Sequence, residues 1–436
     1  MAGRRPARRA RPGGGVTGIG PARRLSPLRL GLGANAAQFT LLVLVNALVG
    51  AVAGLERTVL PLIAERDFAL AAHAAVLSFI LVFGVTKALA NYWAGRLADR
   101  LDRKRVLVAG WLLATPVPFL LMWAPTWNWI LAANALLGAS QGLTWSMTVL
   151  MKLDLVGRER RGLAMGLNES AGYLAVAASA WATGWIASVY GLRPEPFYLG
   201  LVFVGAGLAA SLVLVRDTTP HVRLEAALHG EPHRAGAGGV FWRTTLRDRN
   251  LSSLTQAGLV NNLNDAMAWG LFPLVFARAG LQLTEVGLLA ALYPATWGLT
   301  QTVTGALSDR AGRRPFIVGG MVVQAGAIVL VALSDDFRGF AAASVLLGLG
   351  TAAVYPTLLA GVADASAPGW RGEAVGAYRF WRDSGYVFGA IIAGAGADLA
   401  GVNGALYLVA AMTLASGLIV AARLRRPPEG TPPLTV

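Results

Sequence analysis

Gly95-Arg96-Leu97-Ala98-Asp99-Arg100-Leu101-Asp102-Arg103-Lys104 and Gly305-Ala306-Leu307-Ser308-Asp309-Arg310-Ala311-Gly312-Arg313-Arg314 are one pattern written twice, each copy wedged between two long apolar runs. The second copy begins 210 positions after the first, close to half of the 436-residue chain. A basic turn joining two apolar helices, repeated once per half, predicts an internally duplicated all-α membrane protein.

The same offset extends outward without a gap. Val108, Gly110, Leu136, Leu137 and Gly138 meet Val318, Gly320, Leu346, Leu347 and Gly348. Asp154 meets Asp364, Arg161-Gly162 meets Arg371-Gly372, and Gly184 and Gly191 meet Gly394 and Gly401. Scattered Gly and Leu match by chance; Asp, Arg and Gly landmarks in one register do not. The halves are expected to be two six-helix bundles.

Composition agrees. With 55% hydrophobic residues, 14% charged residues and a mean hydropathy of +0.54, the chain lacks the polar surface of a soluble globule. Twelve apolar runs approach the ~20 residues that cross a hydrocarbon core. They lie at 37–63, 74–98, 105–124, 128–153, 162–189, 197–215, 251–277, 284–307, 315–333, 339–362, 372–397 and 402–422. Their length and lack of two-residue alternation exclude a β-barrel. The expected divisions are a basic tail at 1–36, one bundle at 37–215, a linker at 216–250, the second bundle at 251–422 and a tail at 423–436.

Most of the 38 Lys and Arg residues fall in the tails and in the loops that follow even-numbered spans. The opposite loops hold only Arg66, Arg193, Arg278 and Arg338. The positive-inside rule then places both termini in the cytoplasm, of a cell or inner membrane. The net charge of +15 is mostly topological and suits anionic lipid rather than nucleic acid.

No cysteine is present, so disulfides and thiolate metal sites are excluded. The Arg-rich start reads as a disordered cytoplasmic tail rather than a cleaved signal, because the apolar run behind it is too long. His229 and His233 stand four apart, but Gly230 and Pro232 break the helix that would align them, so no metal is expected. Phe241-Trp242 beside Arg243, Arg247 and Arg249 could form a short interfacial helix. No Gly-x-x-x-x-Gly-Lys-(Ser/Thr) string exists, so nucleotide hydrolysis by that route is excluded, and no cofactor is implied.

The duplicated turn, the two six-span halves and the polar central loop resemble the major facilitator superfamily of secondary transporters. The resemblance implies alternating access to one central site. It also implies a cytoplasmic gate, with Asp99 facing the start of span 11 near Gly372 and Asp309 the start of span 5 near Gly162. Gly95, Arg100, Arg103, Gly305, Arg310 and Arg313 would complete that gate. A carboxylate there can cap a positive helix N-terminus. Three departures stand out. Asp102 replaces the usual Gly, which predicts a looser first turn. Asn134 stands where many proton-coupled members carry arginine, and 162–189 holds no proline, unlike drug antiporters.

Polar residues at helical spacing mark the inner faces. Asn134, Gly138, Gln141, Trp145, Thr148 and Lys152 step by three or four along span 4. Their repeat mates include Gly348, Thr351 and Tyr355. Asn46, Arg57, Asn261, Asn264, Tyr293, Trp297 and Gln301 add to a cavity wall suited to an organic solute. Gly138 and Gly348 read instead as contacts for close helix packing.

Ionisable groups inside spans are costly unless paired, hydrated or functional. Glu56, Arg57, Lys87, Glu169, Asp265, Arg379, Arg382 and Asp383 are such groups. Asp265 is the leading proton-coupling candidate, with Glu169, Glu56 and Asp383 behind it. Arg379 is expected to pair with Asp383 on one helical face, or with Glu169 across the cavity.

These residues predict a monomeric secondary carrier rather than an enzyme. It is expected to be coupled to protons, to move a small organic solute, and to favour export over import. An organic anion or organophosphate carrier is the alternative, motivated by the interior Arg and Lys residues. A polytopic membrane enzyme or sensor is the alternative of another class.

Overall fold

The computed structural model describes residues 28–156, 161–229, 237–366 and 370–424, and every regular element there is helical. The first half comprises α1 (Ala36–Gly54), α2 (Glu56–Arg66), α3 (His73–Val76), α4 (Ser78–Leu101), α5 (Arg103–Ala114), α6 (Val117–Trp123), α7 (Trp127–Val156), α8 (Arg161–Tyr190) and α9 (Tyr198–Val213). The segments α10 (Thr219–His229) and α11 (Ala237–Trp242) form the connection. The second half comprises α12 (Arg249–Arg278), α13 (Leu283–Ala311), α14 (Arg313–Leu333), α15 (Phe337–Asp364) and α16 (Arg371–Arg423).

Seven helical stretches among the described residues are long and apolar enough to cross a membrane: Ala36–Arg66, His73–Ala94, Arg103–Trp123, Glu195–Val213, Arg313–Leu333, Phe337–Asp364 and Gly372–Arg423. The last is two helices joined at Gly401, whose φ of +73° no helix accommodates. The helices α7, α8, α12 and α13, of 29 or 30 residues, are long enough but are not among the seven. Their apolar runs are interrupted by Asn134 and Gln141, Glu169, Asn261 to Asp265, and Gln301. Of these polar groups, Glu169, Asp265 and Gln301 bond to residues of the other half.

The duplication is visible atom by atom. Arg103 donates Nε to Asp154 at 2.9 Å, and its repeat mate Arg313 donates Nε to Asp364 at 3.0 Å. A Cβ on Gly138 would lie 2.3 Å from the Phe83 carbonyl oxygen, and one on Gly348 would lie 2.7 Å from the Tyr293 carbonyl oxygen. Both glycines therefore let α7 and α15 press against α4 and α13, as their spacing predicted.

The first turn corrects one expectation. Asp102 takes φ +74°, ψ 158°, close to the φ +92°, ψ 151° of Gly312, so it is no looser than its mate. This region is strained for a residue with a side chain, at about 1–3 kcal/mol. The carboxylate offsets part of that cost by accepting the Arg105 backbone N–H at 2.9 Å and pairing with Arg105 Nε at 3.2 Å.

Within the first half α1 packs on α8 and α7 on α4 and α5; within the second α12 packs on α16 and α15 on α13 and α14. The halves meet along two seams, α8 against α13 and α4 against α16. The outer surface carries exposed Leu44, Leu89, Trp185, Val213, Leu299 and Leu399, an apolar skin suited to lipid rather than water. The interfacial-helix expectation at 241–242 falls on α11, where Phe241 packs against Phe380 and Trp381 of α16.

Candidate functional site

The centre of the molecule is crossed by ionic and aromatic contacts from one half to the other. Arg57 follows the break between α1 and α2, and Pro61 denies its carbonyl an intrahelical donor. Its guanidinium meets Asp265 of α12 at two points, Nη1 to Oδ1 at 2.6 Å and Nη2 to Oδ2 at 3.0 Å. Tyr386 of α16 donates to Asp265 Oδ2 at 2.7 Å, and the Trp269 ring lies 4.7 Å from the guanidinium. Both members of the pair are buried. The two-point geometry and the tyrosine hydroxyl compensate the dehydration of two charges.

A second cluster lies along α16. Arg382 donates Nη1 to its neighbour Asp383 at 3.2 Å and Nη2 to the Tyr173 hydroxyl of α8 at 3.0 Å, with its guanidinium 4.3 Å over the Tyr355 ring. Asn91 of α4 donates to the other oxygen of Asp383, and Ser146 of α7 donates to Asn91 Oδ1 at 2.6 Å.

Glu169 of α8 is held by neutral donors only. Trp145 Nε1 and Asn168 Nδ2 reach Oε1 at 2.9 and 3.0 Å, and the Tyr355 hydroxyl reaches Oε2 at 3.0 Å. Around it stands an aromatic wall. Tyr173 stacks on Trp297 of α13 with centroids 3.5 Å apart, Trp297 meets Tyr355 edge-on at 5.4 Å, and Tyr293 lies 6.0 Å from Trp297. Gln301 reaches Ser170 of α8 at 3.4 Å. Lys87 of α4 is half-buried at the α4–α16 seam beside Phe83, Trp145 and Tyr386.

Other residues expected on the cavity wall bond within their own half. Asn46 donates to the Asn168 carbonyl at 2.7 Å, Gln141 to the Val49 carbonyl at 2.8 Å, and Asn134 to Glu56 Oε1 at 3.3 Å. Asn261 and Asn264, which flank Asp265 in sequence, turn to Gln324 of α14 at 2.8 and 2.7 Å. Thr351 donates to the Leu347 carbonyl of its own helix. Lys152 is buried and donates to the Leu42 carbonyl at 3.1 Å rather than reaching the membrane edge. Arg379 is half-buried and pairs with neither Asp383 nor Glu169; Arg382, one turn position away, holds Asp383 instead.

Tyr173, Tyr386, Trp269 and Asn91 were not singled out in the sequence. Tyr173 stands four residues after Glu169, and Tyr386 four after Arg382. Stepping one helical turn from each interior charge would have found both.

One face is sealed by contacts between the halves; on the other, the described gate residues form no bond from one half to the other. Away from the duplicated turns, a Cβ on Gly184 would meet Gly287 Cα at 2.7 Å, and one on Gly394 would meet Ala74 Cα at 2.8 Å. Asp398 accepts the backbone N–H of His73 at 2.6 Å and of Ala74 at 3.0 Å, and takes His73 Nδ1 at 2.9 Å. Arg278 joins Glu65 at 2.8 Å and His73 Nε2 at 3.1 Å. All of these contacts bridge the halves.

On the face of the duplicated turns the expected gate residues act locally. Asp309 pairs with Arg313 one turn on, and Arg313 with Asp364, both inside the second half. Arg103 pairs with Asp154 inside the first. Arg100 and Arg310 are exposed, Gly305 lies near Pro356 of its own half, and the spaces beside Gly372 and Gly376 are open. The placements of Gly95, Asp99 and His229 beyond the backbone, and the whole of 1–27, His233 and 425–436, lie outside what the structure describes.

Comparison with known proteins follows this architecture. The chain is 27% identical over 242 residues to a probable 4-methylmuconolactone transporter of Cupriavidus pinatubonensis, covering 54% of each protein. It therefore spans about half the length of that relative. It is 22% identical over 349 residues to an uncharacterized MFS-type transporter of Methanocaldococcus jannaschii, covering 79% of this chain and 87% of that one. The fold matches the crystal structure of the nucleoside transporter NupG with a TM-score of 0.70 at 12% identity, over 89% of this chain and 100% of that one. These relatives are transporters, not enzymes. A family model described as Major Facilitator Superfamily matches residues 42–261 and 254–435, and the chain belongs to that superfamily.

Proposed function

We propose that the chain is a secondary active carrier of a small organic solute. Its site lies between the halves, among Arg57, Asp265, Trp145, Tyr173, Trp297 and Arg382. The observation that carries this reading is the combination of one sealed face, an opposite face whose described gate residues bond only within their own half, and polar bonds that cross the midplane. Tilting of the halves would break the Asp398 and Arg278 contacts and close the duplicated turns, exposing the same centre to the other side. Both termini are cytoplasmic in this reading, in a cell membrane, and the face of the duplicated turns is the inner one.

Coupling to protons is assigned to Asp265. A proton on this carboxyl cancels its attraction for Arg57, which loosens the strongest bond between α2 and α12 and lets solute and ion pair compete. Arg57 released in this way becomes a solute contact. Direction of transport then follows the gradients of proton and solute. In proteoliposomes with an imposed pH gradient, solute accumulation should follow the proton gradient and vanish in Asp265→Asn. A variant that keeps the steep pH dependence removes Asp265 from the coupling role.

Alternating access is tested separately. The cysteine-free chain allows single cysteines placed at Ala268, behind the sealed face, and at Gly376, beside the opposite one. Adding solute should change the labelling rates at the two positions in opposite directions. Rates that never respond remove the carrier reading.

A further inference from the structure

We infer that the solute bound at this centre is a planar organic carboxylate anchored by the Lys87 ammonium, an inference that rests on the carrier reading above. It comes from a balance of donors and acceptors. The central carboxylates are fully engaged: Asp265 by Arg57 and Tyr386, Asp383 by Arg382 and Asn91, and Glu169 by Trp145, Asn168 and Tyr355. No carboxylate oxygen among them is left without a donor.

The unmatched buried acceptors Glu56 Oε2, Asn134 Oδ1, Gln141 Oε1 and Asn168 Oδ1 all belong to the first half, whereas the residues that bridge the halves are left with unmatched donors. Arg57 Nε, Arg382 Nε and Trp297 Nε1 are buried with no acceptor, in residues 7%, 7% and 0% exposed. Lys87 makes no hydrogen bond and no ion pair among the described residues. Its ammonium lies among aromatic rings, with Tyr386, Phe83 and Trp145 centroids at 4.9, 5.3 and 6.0 Å, while Asp383 and Asp265 act on it through space without a direct bond. A buried donor without an acceptor costs about 1–3 kcal/mol, and more when charged. A ligand that brings acceptor oxygens removes that cost; an amine or cation leaves these bridging donors unmatched and adds repulsion against Lys87, Arg57 and Arg382.

Lys87 cannot serve as a headgroup anchor instead. It stands inside α4 (Ser78–Leu101), about 14 Å from the start of its helix and about 21 Å from its end at ~1.5 Å per residue. It is also the accessible member of the set, half-buried where Arg57 and Arg382 are buried. Its aromatic neighbours come from both halves, Phe83 and Trp145 from the first and Tyr386 from the second. The Tyr173–Trp297 stack on the α8–α13 seam shows that flat groups fit face to face between the halves. A carboxylate on Lys87 with a planar body against these rings satisfies both features.

The test is binding by the purified full chain, measured by calorimetry with probes of similar shape: benzoate, 4-methylmuconolactone, benzamide, benzylamine and phenyl phosphate. The carboxylates should bind, while the amide and the amine should not. Lys87→Gln should weaken carboxylate binding about tenfold or more, the loss of one charge-assisted contact, with Lys87→Arg retaining it. The melting temperature of both variants should match the parent, so that lost binding is not lost folding. The proposal is overturned if neither carboxylate binds, if benzamide or benzylamine binds as tightly, or if Lys87→Gln binds unchanged. Tighter binding of phenyl phosphate overturns it in favour of phosphate esters. A neutral or cationic solute that still drives opposite labelling changes at Ala268→Cys and Gly376→Cys would sink the carboxylate while leaving the carrier intact.

Discussion

Arg57 and Asp265, 208 positions apart in the chain, are held by two parallel bonds of 2.6 and 3.0 Å between α2 of one half and α12 of the other. Each residue needs the other, since a lone charge at this depth has no solvent to turn to. Removing one partner should therefore do more harm than exchanging the two.

Asp265→Ala and Arg57→Ala should each lower stability by about 3–5 kcal/mol, as for other broken buried pairs. The exchanged variant carrying Arg57→Asp with Asp265→Arg should recover most of the loss in melting temperature. Thermal melting of the purified proteins measures this, and an exchange as unstable as either single variant would show that the surroundings, not the pairing, set the cost.

The sealed face should open when its bridge is cut. Asp398→Ala removes the acceptor shared by His73 Nδ1 and two backbone N–H groups. A membrane-impermeant maleimide applied from that face should then label Ala268→Cys several-fold faster than in the otherwise unaltered chain. Unchanged labelling would mean that the glycine contacts alone keep the face shut.

Those glycine contacts carry their own expectation. Gly184→Leu would place side-chain atoms where Gly287 Cα now lies, 2.7 Å from the Cβ position. Backbone cannot yield there as a flexible side chain would, so α8 and α13 should stay apart. Transport should fall at least about tenfold, equivalent to roughly 1.4 kcal/mol against the closed state, while the melted fraction at assay temperature stays low.

Asp102→Gly should hold or raise stability. Glycine relieves the positive φ, about 1–3 kcal/mol, and forfeits a cap of about 1 kcal/mol. The melting temperature should rise or stay level; a clear fall would show that the Arg105 contacts dominate.

The duplication was legible in the sequence because it repeats at a fixed offset. Register alone matched Arg103 with Arg313 and Asp154 with Asp364, while the pairing of each arginine with its aspartate is seen only in the structure. Packing glycines such as Gly138 were legible from helical spacing for the same reason. Partnerships across the halves were not, since nothing local in the neighbourhood of Asp265 points to Arg57. Spacing placed Asn261 and Asn264 beside Asp265 on the helix, yet Gln324 drew both amides away. Gln141 shows the same limit: periodicity gave its face, but α1 supplied a carbonyl that consumed its donor. Asp102 misled because residue type was read as backbone shape, while its side chain capped the turn that glycine would form without help.

The stacking of Tyr173 on Trp297 joins one ring from each half in a face-to-face pair. Any tilt that separates α8 from α13 must pull these rings apart and change the surroundings of an indole. The protein thus carries its own optical gauge. Time-resolved emission, compared between the parent and Trp297→Phe, would follow each reorientation cycle as it happens, with no dye attached.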